Sequence, residues 1–317
     1  MKGEMSDPMP DLSIVIVSWN VRDLLHACLE SIRTTAPPDL ALEVIVVDNG
    51  STDGTAEMLR RSFPWVQLIE AGRNLGFSGG NNLGLTVSAG RYVLLLNPDT
   101  LILDDALPTM LAYMEAHPEV GALGPQLLNE DGTVQSSRRR FPTIWTAVFE
   151  STWLQPIAPR HILDHYYMRD HADDESVEVD WVQGAALLVR REAITQIGGF
   201  DEGFFMYSEE LDWQKRLKAA GWRIVYYPEA QIVHYGGKSS EQVIAQRHIY
   251  FQSSKVRYFR KHHGWTAGII VRTVLLANYG WQLGLEAAKW LVGHKRPLRL
   301  ERMRAYWAVL RSGLKGA

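Results

Sequence analysis

Cysteine is nearly absent. The 317-residue chain has one, Cys28, so no internal disulfide can form and no Cys-built metal centre can assemble, which fits a reducing compartment. Charge of one sign is missing too: 33 Lys and Arg stand against 36 Asp and Glu, a formal net charge of −3. No global basic field therefore draws the chain onto nucleic acid or an acidic bilayer, and any such contact must be local. Phosphate-cradling loops are also lacking. No G-x-G-x-x-G opens a helix after the first apolar run, and "GKSS" (237–240) has no glycine five positions before Gly237, which argues against dinucleotide oxidoreductases and P-loop NTPases. The opening "MKGEMSDPMPDLS" lacks the charged-then-apolar pattern of a signal peptide, so a cytoplasmic protein is expected.

Apolar residues are plentiful at 46%, enough for a sizeable core. "LSIVIVS" (12–18), "LEVIVVD" (42–48), "VQLIEAG" (66–72), "RYVLLLN" (91–97) and "VGALGPQ" (120–126) read as strands. Helical spacing separates them: Leu24, Leu25, Cys28, Leu29 and Ile32; Met58 and Leu59; Leu107, Met110, Leu111 and Met114. This alternation predicts an α/β fold with a parallel sheet covered on both faces. The glycine-rich "RNLGFSGGNNLG" (73–84) reads as a flexible loop and a close-packed helix start. Ligands of such sheets gather at the carboxyl ends of the strands. Here those ends carry Ser18, Trp19 and Asn20; Asp48, Asn49, Ser51 and Asp53; Asn97 and Asp99. Each residue alone explains a turn or a helix cap; their recurrence at one edge suggests a site.

Six segments, "SIVIVSWN", "VIVVDNGSTDGT", "NLGFSGGNNLG", "VLLLNPDT", "GGFDEGFFMYSEELDWQKRLKAAGW" and "IVHYGG", resemble in order and spacing the inverting glycosyltransferases of family two. Within that family the chain resembles the bacterial rhamnosyltransferase branch of cell-envelope glycan synthesis. The resemblance spans residues 11–240 and implies a GT-A fold: a mostly parallel, Rossmann-like sheet flanked by helices. Residues 1–10 are then expected to be a disordered lead and 241–317 a C-terminal helical extension.

Roles follow from the same resemblance. Asp99 closes the family's Asp-x-Asp-type motif and would bind Mg²⁺ or Mn²⁺ at the donor diphosphate, with His234 as a second ligand; Asn97 stands where many members have the first Asp. Ser18, Trp19, Asn20, Asp48 and Arg73 would hold the nucleotide. A carboxylate such as Asp48 can accept a hydrogen bond from uracil and thymine alike, so UDP and dTDP stay open. In "MYSEELDWQKRL", Ser208 reads as an N-cap with Glu209 and Glu210 in the first turn. The resemblance makes Glu210 the general base, with Glu209 as the alternative. Asp212 and Arg216 have the spacing of a helix ion pair, and the family makes them supports for the site or the diphosphate. Asp201 of "GGFDE" would lie where donor meets acceptor, with Trp181 and Gly184 on the acceptor side.

Residues 141–180 read as a loop-rich insertion over the acceptor, preceded by Arg138, Arg139 and Arg140 as a solvated face, with a diphosphate or lipid-headgroup contact the sharper alternative. In the last quarter Arg272, Asn278, Gln282, Glu286 and Lys289 interrupt the ~20 apolar residues that a spanning helix needs. With Trp265, Trp281, Trp290 and Trp307 among many basic residues, 265–317 is expected to be an amphipathic pair at a membrane surface, or else a packing arm or dimer interface. The expected activity is inverting, metal-dependent transfer of a sugar, L-rhamnose from dTDP-rhamnose, to a glycan or polyprenyl-diphosphate-linked acceptor at the inner face of the cell membrane. A UDP-sugar-dependent transferase is one alternative. The other is a catalytically silent nucleotide-sugar-binding scaffold, suggested by Asn97 and Glu210.

Overall fold

Alternation along each strand decides which core its side chains enter. The computed structural model describes residues 9–236 and 244–315; "GKSS" and the first eight residues of the expected lead lie outside them. In β1 (Leu12–Ser18), Leu12, Ile14 and Ile16 join one core layer with Leu25, Cys28, Leu29 and Ile32 of α1 (Arg22–Thr35). Val15 points the other way and packs with Leu85. β2 (Leu42–Asp48), α2 (Thr55–Ser62), β3 (Gln67–Glu70), α3 (Gly76–Val87) and β4 (Tyr92–Leu96) repeat the pattern, giving four parallel strands ordered β3-β2-β1-β4. The glycine-rich stretch is largely α3 itself. A Cβ on Gly80 or Gly84 would sit 2.7 or 2.3 Å from Val17 or Val15, so glycine lets this helix lie directly on β1.

The second half adds strands of both directions. β5 (Thr100–Ile102), α4 (Ala106–Ala116) and β6 (Val120–Leu128) come first, then β7 (Arg138–Arg139), α5 (Ile144–Glu150), α6 (Arg160–Tyr166), β8 (Val177–Glu178) and β9 (Trp181–Val182). β10 (Ala186–Arg190), α7 (Arg191–Ile197), α8 (Glu209–Ala219) and β11 (Arg223–His234) complete the α/β layers. The main sheet reads β3-β2-β1-β4-β10-β6-β11-β5, with β8 beside β11; β10, β5 and β8 oppose the other six strands. β7 and β9 form a separate antiparallel pair that frames the loop-rich insertion.

The extension is α9 (Ile244–Leu291), broken at Gly264 (φ 86°, ψ 171°), and α10 (Arg296–Ser312). A third core fastens it to the sheet domain: Phe204 and Leu211 pack with Tyr258, Phe259, Val271, Leu275, Tyr279 and Val309. Buried Glu286 pairs with Arg299 at 2.8 Å and ties α9 to α10. No helix among the described residues is long and apolar enough to cross a membrane.

Candidate active site

The carboxyl ends of β1 and β4 open into a cavity of about 690 Å³, lined by Trp19, Asn49, Asn97, Asp99, Gly184, Glu209, Glu210 and His234 among others. Other expected nucleotide ligands sit differently. Ser18 and Asp48 are buried and are not among the lining residues; Asp48 accepts the Ser51 N–H at 3.2 Å. Asn20 binds the two strand-end loops together: its N–H donates to Ser51 Oγ at 2.9 Å and its Oδ1 accepts from Thr52 N–H at 2.8 Å. Arg73 faces a neighbouring groove with Glu202 and Phe205. The adjacent Asn74 reaches the cavity instead and accepts the Gly76 N–H at 2.9 Å, ordering the start of α3.

Strand pairing brings the two expected metal ligands together. His234 lies opposite Thr100 in the β11–β5 register, and the Tyr235 N–H donates to the Asp99 carbonyl at 2.9 Å. His234 Nε2 is 3.5 Å from Asp99 Oδ1. Gln135 grips the histidine twice, donating from Nε2 to the His234 carbonyl at 2.6 Å and placing Oε1 2.9 Å from Nδ1. That amide orientation makes Nδ1–H the donor, so in the neutral ring the lone pair lies on Nε2. Nε2 is buried with no hydrogen-bond partner. An orphaned imidazole nitrogen beside a carboxylate fits a divalent cation. No group of three or more His, Cys, Asp or Glu able to hold a metal occurs among the described residues, so the remaining ligands would be water and substrate phosphate oxygens.

α8 delivers the paired glutamates. Tyr207 and Ser208 both adopt left-handed backbone (φ 69° and 63°), a sparsely populated conformation for residues with side chains. Ser208 occupies the N-cap position, but its side chain makes no capping hydrogen bond, so the expected cap is one of place only. Glu209 is buried and Glu210 half-buried, and an Oε2 atom of each is buried without a partner. Desolvation pushes the Glu210 carboxyl up to about 7, and desolvation together with the Glu210 charge pushes Glu209 well above the usual range. A Cβ at Gly184 would lie 3.2 Å from Glu210 Cβ, so glycine there leaves room for that side chain.

A second cavity of about 680 Å³ begins at Glu210. Aromatic residues Tyr166, Trp181, Phe251, Tyr258, Tyr279 and Tyr306 line it, with Arg139, Glu150 and Lys255 among its polar groups. The two cavities share Gln183, Tyr207, Glu210 and Arg247. Trp181 belongs to the second cavity and Gly184 to the first, so the expected common acceptor side divides between them.

Three expected site residues are latches. Asp212 is fully buried and lines neither cavity; Arg216 at 3.1 Å, Lys261 at 2.8 Å and His262 at 2.7 Å surround it. Burial would raise its pKa, but His262, Lys261 and Arg216 hold it below the usual value. Arg216 also donates to the carbonyls of Ile197 at 2.9 Å and Gly199 at 2.7 Å, bracing the "GGFDE" loop. Asp201 of that loop takes Lys261 at 2.7 Å and Arg257 at 3.0 Å; these cations and the Gly203 N–H outweigh burial and hold its carboxyl at about 2.

The arginine run is not a solvated face. Arg138 is buried, paired with Asp173 at 3.1 Å and set over the Tyr226 ring, while Arg139 lies over Tyr167 in the second cavity. Sequence reasoning missed Gln135, Gln183 and Arg247. The only local signal was position: Gln135 lies just beyond the fifth predicted strand, and Gln183 directly precedes Gly184.

Residues 13–197 match the sequence profile described as Glycosyl transferase family 2. The N-acetylglucosaminyl-diphospho-decaprenol L-rhamnosyltransferase of Mycobacterium tuberculosis is 32% identical over 276 residues, covering 82% of this chain and 87% of that protein. Rhamnosyltransferase WbbL of Escherichia coli K12 is 26% identical over 78% of this chain and 92% of its own length. A mannosyltransferase of Pyrobaculum calidifontis, solved with GDP-Man and Mn²⁺, shares the fold at a TM-score of 0.57 and 19% identity, over 97% of this chain and 88% of that one. With strand ends, paired carboxylates and sheet order all in place, the matched profile and the relatives lead to one conclusion: the chain belongs to glycosyltransferase family 2 and is a GT-A glycosyltransferase.

Proposed function

We propose that the chain moves a sugar, with inversion, from a nucleoside diphosphate in the first cavity to an acceptor hydroxyl in the second. The position of Glu210 carries the reading: among the four residues the cavities share, it is the only carboxylate. Glu210 removes the proton of the acceptor hydroxyl as that oxygen attacks the anomeric carbon. The bond from that carbon to the diphosphate oxygen breaks, and its electron pair leaves with the diphosphate. A carboxyl pushed up to about 7 by desolvation matches a base working near neutral pH. Glu209 borders only the first cavity and is the weaker candidate.

Trp19 lines the cavity at the strand end where the base would sit, with Asp48 buried behind it, and Asn97 and Asp99 would face the diphosphate. Asp99 and His234 would hold Mg²⁺ or Mn²⁺, which when bound offsets charge on the leaving diphosphate. The mycobacterial relative's name supports L-rhamnose as the sugar and a polyprenyl-diphosphate-linked sugar as the acceptor; dTDP-rhamnose is the donor proposed to deliver it. A UDP-sugar is the alternative donor. Such an acceptor would be anchored in a bilayer, and the inner face of the cell membrane is the proposed place of the reaction.

The test incubates the purified chain with dTDP-rhamnose or UDP-sugars and a short-chain prenyl-diphosphate N-acetylglucosamine, with Mn²⁺ or a chelator. Transfer from dTDP-rhamnose, inverted at the anomeric carbon and lost on chelation, is expected. Retained configuration, or transfer indifferent to chelation, refutes the mechanism; donor binding without transfer returns the scaffold reading.

A further inference from the structure

The second half of α9 has two unlike sides. One turns Tyr279 and Gln282 into the second cavity and buries Val271, Leu275 and Glu286. The other carries Ile270, Val274, Ala277, Trp281, Leu285 and Ala288, three or four residues apart, each exposed or half-buried and none charged. A helix face in water ordinarily holds charged groups at such positions. Here they are directed elsewhere: Arg272 donates to the Gly313 carbonyl at 2.6 Å, and Glu286 is sealed against Arg299. Trp281 meets Trp153 at 5.8 Å between ring centroids, adding a second half-exposed indole to the surface. Beyond the stripe Leu291 and Val292 are 69% and 80% exposed, directly before His294, Lys295 and Arg296.

The arm that carries this face has a one-sided charge, although Arg299 is buried on Glu286 and Arg272 is bound to the Gly313 carbonyl. Residues 265–315 hold nine lysines and arginines against two glutamates, one of them buried, in a chain whose net charge is −3. We propose that the Ile270–Ala288 face and the Leu291–Val292 tip dock flat on an anionic bilayer, the indoles and aliphatic side chains entering the headgroup boundary and the basic residues pairing with lipid phosphates. A second copy of the chain would meet this surface with its own basic excess, setting like charges together across a two-fold contact. Since the same helix walls the second cavity, a membrane-anchored acceptor would reach Glu210 with its prenyl tail still in lipid. That last step rests on the proposed acceptor; the docking face does not.

Sedimentation of the full chain with phosphatidylcholine vesicles, with or without about 30% phosphatidylglycerol, tests it. Binding to the anionic vesicles is expected to exceed binding to the neutral ones by about tenfold or more and to fall steeply towards about 0.5 M salt. Trp281→Glu with Leu285→Glu, and separately Val292→Asp at the open tip, should each lower anionic-vesicle binding by about tenfold. Melting temperature and transfer to a soluble, tail-less acceptor should stay unchanged. Absence of vesicle binding, or binding indifferent to both variants, overturns the proposal. So does a lipid-free dimer that Trp281→Glu with Leu285→Glu converts to monomer. Vesicle binding without transfer to any prenyl acceptor would support the docking face and refute the acceptor reading alone.

Discussion

Two cavities of about 690 and 680 Å³ meet at Glu210, but they are made of different material. The first stands on strand ends, where the hydrogen-bonded ladder fixes each residue relative to its neighbours, so Trp19, Asn97 and Asp99 come from short contiguous motifs. The second is walled mainly by helices and loops, with the short β7–β9 pair, and its contributors run from Arg139 to Tyr306 with no local spacing. Position on a sheet edge is inherited from backbone pairing; position between helices must be built by side-chain packing, one contact at a time. The first kind of site should fail by losing ligands, the second by losing its walls.

Glu210→Gln is the sharpest way to probe the seam. Transfer should fall by on the order of 10²-fold or more, with donor and Mn²⁺ affinity unchanged, when measured at saturating acceptor. Glu209→Gln should lose much less; equal losses would mean that facing both cavities confers nothing. Asp212→Asn comes next, as a change of support rather than chemistry. It should cost about 2 kcal/mol in denaturant unfolding while turnover at low temperature stays within a few-fold. Collapse of turnover in a fully folded variant would place Asp212 in the reaction after all.

The pH dependence follows from the raised carboxyl of Glu210. Transfer should rise with pH through about 7, where the base becomes ionised. Stability should move the opposite way. The folded chain keeps protons on Glu209 and Glu210 that the unfolded chain releases from 4.5 upward, so unfolding free energy should decline as pH rises from 4.5 to about 7. Glu210→Gln should flatten that decline; an unchanged slope in pH-resolved melts would contradict it. The smallest effect concerns Gln135. Gln135→Leu should weaken Mn²⁺ binding in the presence of nucleoside diphosphate by about tenfold, read by electron paramagnetic resonance. In a His234→Ala background it should add nothing, and an additive loss would show that Gln135 acts elsewhere.

The same contrast explains what was legible in the sequence. All five predicted strands exist, because alternating or continuous β-branched runs leave little choice of conformation. Asp99 and His234 were readable as strand-end residues, and their 3.5 Å approach is a product of β5–β11 pairing. Arg73 and Asn20 do not line the first cavity, because a loop motif fixes the presence of polar groups but not which of them faces inward. The ion pairs of Asp201 and Asp212 across the arm were not legible for a different reason: their partners Arg257, Lys261 and His262 lie some fifty to sixty residues further along, on α9. The arginine run looked solvated because the Tyr167 and Tyr226 rings beneath it come from distant segments.

Lys261 reaches Asp201 and Asp212 at once, at 2.7 and 2.8 Å. A gene ending near residue 240 would strip Lys261 and His262 from Asp212, leaving Arg216 as its one cationic partner among the described residues, and would uncover Phe204 and Leu211. The boundary that the sequence motifs mark is therefore not one along which recombination can cut. Lineages that change acceptors by exchanging the last quarter of the chain would have to bring a replacement for Lys261 with it, or else move the crossover upstream of residue 198. Diversification of this enzyme should accordingly proceed by substitution within the arm while the latch is retained.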